Sequence, residues 1–347
     1  MKGREIQIGR IKGRDAAVLL VDGRLEDLAI DASGLAPFLP GAILRGRVKR
    51  LMKGQGGVFV ALPDGATGYL RDRSGLGEGQ AVLVQVSGMA EPGKAVPLTS
   101  RLLIRGRYGI VTPGAPGVNI SRAVRDPERR ALLQELGNRA QPSDQSGLIL
   151  RSAAADAPDD EIAAELQDIT AIAAQILSDA EGAPELLLDA PTPAETAWQD
   201  WAEPAPDSIT EDDDLPPDTL DALHKLLDPR IALPAGASAL IEPTHALIAV
   251  DVNTGTDSSP AAGLKANVAL ARELPRQLRL RGLGGQVVVD FAPMPKRDRG
   301  TVEQELKKAF RIEGSEAVLA GFTTMGLFEL SRKRDRVPLT RLVEAEP

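Results

Sequence analysis

Two aspartates in the last third of the sequence each end a short apolar run. Asp251 follows ALIAV, and Asp290 follows QVVV. Such runs, bounded by glycine or polar residues, predict strands buried on both faces. Aspartate is disfavoured in such strands, and an unpaired buried carboxylate costs roughly several kcal/mol. The pattern therefore predicts two carboxylates held together at one sheet edge, and a divalent cation such as Mg²⁺ is the usual reason for such an arrangement.

Asn253 strengthens this interpretation because it lies two residues beyond Asp251. In an extended chain both side chains point to the same side. The amide can orient a carboxylate, a water molecule or a phosphate oxygen without adding charge. A single Asp-Val-Asn-Thr-Gly segment is more typical of a simple turn. Two matched strand-to-aspartate motifs, joined by a basic helix, favour a functional site instead.

These motifs also carry a family resemblance. AVDVNTG, a helix ending in RQLRLRGLGG, and VVVDF together resemble the catalytic core of the ribonuclease E/G family of bacterial endoribonucleases. In that family the first aspartate, the asparagine and the second aspartate form a magnesium site. The resemblance covers nearly the whole chain and implies catalytic roles for Asp251, Asn253 and Asp290, with Mg²⁺ held by Asp251 and Asp290.

Composition narrows the class of protein. At 347 residues and 43% hydrophobic content, the chain is long enough for two or more packed domains. It contains no cysteine and two histidines, which excludes disulfides, thiol nucleophiles and histidine-rich metal sites. No run of about eighteen apolar residues predicts a membrane helix, and the N-terminus lacks a signal-peptide pattern. We therefore expect a cytoplasmic location and no membrane partner.

The net charge of −8 conceals an uneven distribution. Residues 195–228 contain eleven acidic residues and one basic residue, so the remaining chain carries a net charge of +2. The acidic run around SITEDDD predicts a solvated loop. Basic residues form three groups that could bind phosphates. These groups are Arg45, Arg47, Lys49, Arg50 and Lys53; Arg101, Arg105 and Arg107; and Arg272, Arg276, Arg279 and Arg281.

The elements that would position these residues predict an α+β multidomain fold. The resemblance implies an OB-type S1 β-barrel inserted in a ribonuclease H-like subdomain, followed by an α/β 5′-sensor region and a DNase I-like α/β catalytic domain. The corresponding boundaries are residues 1–36 and 182–233 for the two parts of the ribonuclease H-like subdomain, 37–102 for the barrel, 103–181 for the sensor and 234–347 for the catalytic domain.

The barrel prediction comes from GAILRGRVKRLM, GGVFVAL, TGYL and GQAVLVQVSGM, which are short β-rich runs separated by glycine, proline and aspartate. Such barrels bind single-stranded RNA through aromatic rings in a basic groove. By resemblance, Phe59, Tyr69 and Lys94 would contact RNA. For Phe59 an equally good interpretation is a ring in the barrel core.

The sensor prediction rests on LLIRGRYGIVTP and SGLIL as strands and on PERRALLQELGNRA and DDEIAAELQDITAIAAQILSDA as helices. The family's sensor holds an RNA 5′ monophosphate with an arginine followed by a threonine. The matching residues are Arg151 and Ser152, and Arg122 is a further candidate RNA contact. Trp198 and Trp201 are interpreted as anchors to a neighbouring element.

Several features depart from the family pattern. The segment after Asn253 is shorter and less basic, with Asp257 in place of the usual positive charges. Pro275 interrupts the predicted helix, where it could cause a kink costing roughly 3 kcal/mol. FAPMPK follows the second strand without a further aspartate. The Cys-x-x-Cys zinc link is missing from this sequence, so we expect a short form whose homo-oligomers would need another contact.

The leading hypothesis is a Mg²⁺-dependent endoribonuclease that cleaves single-stranded RNA in RNA processing or decay. The alternative is an RNA-binding homologue with weak or no nuclease activity, which the altered segment after Asn253 favours. An unrelated DNA nuclease fits less well, because the predicted barrel indicates RNA.

Overall fold

The computed structural model describes residues 3–49, 56–71, 75–91, 93–141, 145–257, 259–314 and 316–344. Arg50 and Lys53 of the first basic group lie outside these residues. The chain forms two compact units: residues 1–24 with 29–214, and residues 25–28 with 215–347. No helix in the described part of the chain is long and apolar enough to cross a membrane.

The first unit holds most of the strands. They are β1 (Arg4–Ile11), β2 (Arg14–Val21), β3 (Arg24–Ile30), β4 (Ile43–Val48), β5 (Val58–Ala61), β6 (Thr67–Leu70), β7 (Ala81–Val86), β8 (Val96–Thr99), β9 (Ile104–Arg105), β10 (Gly109–Pro113), β11 (Gly117–Ile120), β12 (Ser146–Leu150), β13 (Glu185–Leu188) and β14 (Ser208–Glu211). Residues 25–28 in the middle of β3 group with the second unit. The helices of the first unit are α1 (Pro127–Ala140), α2 (Asp159–Ser178) and α3 (Pro193–Asp200).

The second unit contains a six-stranded sheet and its helices. The strands are β15 (Arg230–Ala232), β16 (Ser238–Pro243), β17 (Ile248–Asn253), β18 (Gly285–Asp290), β19 (Ala317–Phe322) and β20 (Phe328–Arg332). The helices are α4 (Pro217–Lys225), α5 (Ala262–Leu280), α6 (Arg299–Glu313) and α7 (Leu339–Glu344).

The N-terminal strands form the predicted meander, in a sheet of order β14-β1-β2-β3. Lys12-Gly13 and Asp22-Gly23 have positive φ at both positions, as tight hairpin turns require. The prediction of a loop is wrong for Ser208–Glu211, which pair in parallel with β1 as β14. A parallel partner distant in sequence supplies hydrogen bonds that local charge patterns do not reveal. Asp212 to Asp214 are exposed and lie outside strands, as expected.

Strands β4 to β8 close into a five-stranded barrel, which confirms the prediction of an OB-type domain. Their order is β4-β5-β6-β8-β7, and β7 pairs back with β4. The barrel interior is filled by aliphatic side chains such as Leu44, Val60, Leu70 and Val84. Gly57 approaches the ring of Tyr69 so closely that an added Cβ would lie 2.7 Å from its hydroxyl oxygen. A side chain at this position would collide with that ring and with the carbonyl oxygen of Leu70.

The region after the barrel is a four-stranded sheet of order β11-β12-β10-β9 with α1 and α2 packed against it. Helix α1 matches PERRALLQELGNRA because Asp126 caps its first turn by accepting from the backbone N–H groups of Glu128 and Arg129. The prediction of one strand over LLIRGRYGIVTP is wrong in detail. The segment forms β9 and β10, which pair as antiparallel neighbours around a bend.

The six-stranded sheet of the second unit has the order β15-β16-β17-β18-β20-β19. Strands β17 and β18 are parallel, so their connection must cross over, and α5 provides it. Leu270, Ala271, Leu274 and Leu278 on α5 are buried against one face of the sheet. Helix α5 continues through Pro275, which is itself buried. The expected interruption of the helix therefore does not occur.

Candidate active site and candidate RNA-binding surfaces

Asp251 and Asp290 lie directly opposite each other on β17 and β18. The parallel register runs without a break from Ile248 opposite Val287 to this pair. Both carboxylates are exposed, whereas Val250 and Val289, one residue earlier, are buried in the core. Because the two strands are parallel and in register, their carboxyl ends meet at one edge of the sheet. The predicted juxtaposition of the two aspartates is therefore observed.

The prediction that these strands are buried on both faces is wrong. Along β17 and β18, buried residues alternate with half-buried or exposed ones. Ala249 and Val288 are half-buried, and Gln286 is exposed. Only one face of the sheet lies in the core of the second unit. The carboxylates project from the opposite face, where they keep their hydration and do not incur the desolvation cost inferred from the sequence.

Asn253 holds one of the two carboxylates. Its Nδ2 atom donates to Oδ2 of Asp251 at 2.8 Å, as two side chains on the same side of an extended strand can do. This contact fixes the orientation of Asp251 and leaves the amide oxygen of Asn253 as an acceptor. No three His, Cys, Asp or Glu side chains converge in the described ranges. Two adjacent carboxylates and an amide oxygen suit Mg²⁺, which needs few protein ligands and retains water.

A buried asparagine on α5, missed in the sequence, fixes the chain beyond Asp290. Asn267 is fully buried. Its Nδ2 donates to the carbonyl oxygen of Ala292 at 2.9 Å, and its Oδ1 accepts from the N–H of Ala292, also at 2.9 Å. The crossover helix is thereby clamped to the segment two residues past Asp290. In the sequence, the signal that could have identified Asn267 is an amide side chain among the apolar residues of an amphipathic helix.

Arg230 is a second residue that the sequence alone did not identify. It pairs with Leu240, Leu240 pairs with Asp251, and Asp251 pairs with Asp290, so these four residues form one row across the sheet. Cross-strand partners project to the same face, and Arg230 is exposed. Its Nη2 donates to Oγ of Ser238 at 3.3 Å. The Cα atom of Arg230 thus lies two strand spacings, about 10 Å, from that of Asp251.

Three arginines of the basic group on and just after α5 serve the interior of the second unit rather than a phosphate-binding surface, whereas Arg272 is exposed. Arg276 and Arg279 both contact Glu26, and Arg272 contacts Glu305. Arg281 is buried and donates to the carbonyl oxygens of Leu226 and Asp228, and burial lowers the pKa of its guanidinium.

Two more cations are internal. Arg332 is 3% exposed, pairs with Glu313 and Asp335, and cannot reach an RNA backbone. Arg45 of the first basic group is 4% exposed and pairs with Asp179 and Glu185. Long-range acidic partners of this kind cannot be read from local charge clusters.

Phe59 and Tyr69 are cross-strand neighbours on the outer wall of the barrel. They face each other on β5 and β6, with ring centroids 5.4 Å apart. Val58 and Val60, on either side of Phe59, point into the barrel. The interpretation of Phe59 as a core ring is therefore wrong, because alternation along β5 places it on the outside, where it is half-buried.

A lysine extends this aromatic pair on the same wall. The N–H of Lys49 donates to the carbonyl oxygen of Phe59, and its Nζ reaches Oγ1 of Thr67 at 2.7 Å. Lys49 is exposed. Lys94 is also exposed, in the loop before β8, and its ammonium pairs with Glu91 at 2.9 Å. Lys49 is therefore a cation that the fold places beside the rings.

Arg122, Arg151 and Ser152 are brought to one sheet edge. Strands β11 and β12 are parallel, with Ile120 opposite Leu150, and the three residues follow these strand ends. Arg122 and Ser152 are exposed. Arg151 is more enclosed, because its Nη1 donates to the carbonyl oxygens of Gly106 and Gln199, both at 2.8 Å.

The guanidinium of Arg151 also forms an ion pair. Its Nη2 lies 2.8 Å from Oδ1 of Asp200 at the end of α3, an oxygen that Arg105 also contacts at 3.0 Å. These contacts use three of the five N–H groups of Arg151. The remaining donors can still reach a ligand, with the guanidinium held in a fixed orientation.

In the segment after Asn253, the acidic residue Asp257 forms a hydrogen bond and an ion pair. Asp257 accepts from the N–H of Ser259 at 2.8 Å and lies 3.5 Å from Nζ of Lys265 on α5. The hydrogen bond from Ser259, followed by the charge of Lys265, lowers the pKa of Asp257. The residue that replaces the family's basic charges thus binds a nearby lysine.

Comparison with known proteins gives matches over both units. The model of the Ribonuclease E/G family matches residues 103–220 and 217–335, which together span more than half of the chain. Ribonuclease E of a Nostoc species is 32% identical over 299 residues, covering 74% of this chain and 43% of that protein.

Two relatives from Escherichia coli are more distant. Its Ribonuclease E is 26% identical, covering 95% of this chain and 37% of the relative. Its Ribonuclease G is 24% identical, covering 93% of this chain and 78% of the relative. The chain thus spans less than half the length of the Ribonuclease E proteins named here. Both the family model and the Nostoc relative extend over most of the sequence, and the chain belongs to the ribonuclease E/G family.

Proposed function

We propose that this protein is an endoribonuclease that cleaves single-stranded RNA with Mg²⁺ held by Asp251 and Asp290. The observation that carries the proposal is the in-register pairing of these two carboxylates on parallel strands of a ribonuclease E/G family member. Neither carboxylate is buried, so the site is open to a polymer that crosses the sheet. The family's ribonuclease H-like and DNase I-like subdomains would correspond to residues 1–36 with 182–233 and to residues 234–347.

The residues have distinct roles in this proposal. A bound Mg²⁺ would supply the positive charge that stabilises the phosphate during attack by water. Asn253 orients Asp251 through its amide, and Asn267 holds the chain beyond Asp290. Arg230 would bind a phosphate flanking the cleaved bond, because it projects from the same sheet face. Cleavage would leave a 5′ phosphate on the downstream product.

Substrate binding would involve two surfaces of the first unit. Phe59 and Tyr69 would stack on unpaired bases, with Lys49 and Lys94 near the RNA backbone. Arg151, Ser152 and Arg122 would bind a 5′-terminal monophosphate through charge-assisted hydrogen bonds. This second assignment accounts for the arrangement of three polar residues at one edge formed by β11 and β12.

The decisive experiment uses a 5′-monophosphorylated single-stranded RNA, with and without Mg²⁺. We expect internal cleavage that requires Mg²⁺ and yields products with 5′ phosphates. The same RNA with a 5′ triphosphate should be cut more slowly. Arg151→Ala should remove the difference between the two ends and leave the slower rate. Intact RNA after prolonged incubation with Mg²⁺ would contradict the nuclease assignment.

The second candidate function is RNA binding without efficient cleavage, for processing or decay carried out by other proteins. The observation that favours it is the segment after Asn253, where Asp257 engages Lys265 instead of leaving positive charge exposed. Tight RNA binding in the same experiment, together with no Mg²⁺-dependent products, would support this alternative.

A further inference from the structure

An exposed tryptophan lies next to the proposed 5′-phosphate site. Trp198 and Trp201 are both on or next to the last turn of α3, but their surroundings differ. Trp201 is 4% exposed and packs in the core of the N-terminal sheet. Trp198 is 44% exposed. The interpretation of both as anchors therefore holds for Trp201 only, and Trp198 presents a large aromatic surface to solvent.

Trp198 belongs to a stack with an arginine. The guanidinium carbon of Arg107 lies 5.0 Å from the ring centre of Tyr108 and 5.9 Å from that of Trp198. The described hydrogen bond of this guanidinium, from Nη2 to the carbonyl oxygen of Ala202, is long at 3.5 Å. Its Nε is enclosed without an acceptor among the described residues. The terminal nitrogens of Arg107 therefore keep donors for a ligand, and the guanidinium lies beside two aromatic rings.

The stack is adjacent to Arg151. Arg151 donates to the carbonyl oxygens of Gly106, the residue before Arg107, and of Gln199, the residue after Trp198. The last turn of α3 thus lies along the segment 105–107, with the guanidinium of Arg151 between them. Asp200 is shared by Arg105 and Arg151. Two guanidinium groups thus share one carboxylate, while the guanidinium of Arg107 lies beside the exposed indole.

Two other carboxylates nearby have their own partners. Glu165 accepts from the backbone N–H groups of Arg107, Tyr108 and Gly109. Glu161 accepts from the hydroxyl of Tyr108 at 2.9 Å. Neither contact engages the guanidinium of Arg107, so its charge remains available to an anionic ligand.

We propose that Trp198 and Arg107 form a nucleotide-binding site for single-stranded RNA, continuous with the 5′-phosphate site at Arg151. One base stacks on the exposed indole, and the adjoining phosphate binds Arg107 and Arg105. This inference rests on the proposed recognition of RNA ends. It adds a base-binding surface, which favours RNA with an unpaired 5′ end because a base within a duplex cannot stack on the indole.

The test measures binding without cleavage. A 5′-monophosphorylated tetraribonucleotide is titrated into the full chain in the presence of EDTA, and tryptophan fluorescence and Kd are recorded. We expect fluorescence quenching from Trp198, because Trp201 is buried. Trp198→Ala should remove the quenching and weaken binding by about 5- to 150-fold, the range for loss of one stacked base. Trp198→Phe should largely restore binding, and Arg107→Gln should weaken it.

Matched controls separate this site from the others. Ile172→Ala removes a comparably exposed apolar side chain, 36% exposed on α2, and should leave Kd unchanged. Val318→Ala removes an apolar side chain that is 69% exposed on β19 and should leave the quenching intact. Far-ultraviolet circular dichroism establishes that every variant is folded.

The outcomes distinguish this inference from the proposed nuclease function. Quenching that depends on Trp198, in a protein that does not cleave RNA, would support the site and contradict the nuclease. Unchanged Kd in folded Trp198→Ala would overturn the site, even if cleavage is efficient. Absence of any quenching in the parental protein at saturating RNA would overturn it as well. An altered oligomeric state without altered RNA affinity would mean that Trp198 contacts protein instead.

Discussion

At the scale of single residues, strand register determines which side chains are neighbours in the candidate metal site. Asp251 faces Asp290, and Asn253 donates to Asp251. Two adjacent negative charges repel each other unless a cation or bound water intervenes. This arrangement leads to one prediction about the carboxylates and another about the cation in the same row.

Replacing either aspartate by asparagine should abolish Mg²⁺-dependent cleavage. Asp251→Asn or Asp290→Asn keeps the size of the side chain but removes one of the two charges that hold the ion. Because both side chains are exposed, the melting temperature and RNA affinity should change little. Single-turnover cleavage at saturating Mg²⁺ gives the measurement. A rate equal to that of the parental protein for either variant would show that the site is elsewhere.

Arg230→Gln should slow cleavage without affecting recognition of the RNA 5′ end. The substitution removes a cation from the row that contains both aspartates but retains a side chain able to contact Ser238. We expect a higher KM for RNA and a smaller dependence of binding on salt, since one phosphate contact is lost. Arg272→Gln, on the helix-covered side of the sheet, provides the control. Equal effects of the two substitutions would rule out a specific role for Arg230.

At the scale of elements, strands place the aspartates and a helix fixes their relative position. Helix α5 connects β17 to β18 and also clamps the chain beyond β18 through Asn267. The barrel similarly presents Phe59 and Tyr69 by alternation along β5 and β6. Each element thus has a buried side that determines its position and an outward side that carries the functional group.

Asn267→Ala should reduce both stability and the rate of the cleavage step. The substitution leaves the buried N–H and carbonyl groups of Ala292 without partners, at a cost of about 1–3 kcal/mol each. Urea unfolding gives the stability, and single-turnover kinetics separate kcat from KM. A positioning role predicts a lower kcat at temperatures where the variant is fully folded, with KM nearly unchanged. An unchanged kcat in the folded variant would assign Asn267 to stability alone.

Tyr69→Ala should weaken RNA binding by about 1–3 kcal/mol, the usual contribution of a stacked base. Phe59→Ala should have a similar effect, and both variants should remain folded because neither ring lies inside the barrel. Fluorescence anisotropy with a labelled single-stranded RNA gives the affinity. Unchanged affinity for both folded variants would exclude this wall of the barrel as the RNA-binding surface.

Sequence patterns predict best the elements that are determined by residues close together in the sequence. Helices α1 and α2, the first three strands and the two strand-to-aspartate motifs follow from periodicity, capping and turn residues. Strand β14 was missed because its partner, β1, is about two hundred residues away. The roles of Arg45 and Arg276 were also misjudged from clusters, since their acidic or carbonyl partners come from distant segments.

At the scale of the whole molecule, two ends of the sequence join within the second unit. Residues 25–28 group with residues 215–347. Nη1 of Arg336 donates to Oδ1 of Asp27 at 2.6 Å and to the carbonyl oxygen of Leu28 at 2.7 Å. The Asp27 side chain is 15% exposed. Burial raises its pKa, but the guanidinium groups of Arg336 and Arg279 outweigh burial, so the pKa of Asp27 is lowered overall.

This shift predicts how stability depends on pH. A lowered pKa in the folded state means that Asp27 stabilises the protein above its unfolded value of 3.8. The contribution is lost as pH falls below that value and through the folded pKa. Asp27→Asn should therefore lower the free energy of unfolding at pH 7 by about 1–3 kcal/mol. Urea titrations from pH 7 to about pH 3 should show the gap between the two proteins closing on acidification. A constant gap would contradict the linkage.

The parallel pairing of β17 and β18 has a consequence for folding of the chain during its synthesis on the ribosome. The paired aspartates are separated by a complete crossover helix, and closing such a long connection is slow compared with forming a hairpin. An unfinished chain that ends before residue 290 holds only one of the two carboxylates. Synthesis proceeds from the N-terminus, so the barrel can fold while the second aspartate has yet to be added. A nascent chain would thus complete the proposed RNA-binding surface before it holds both carboxylates of the proposed metal site.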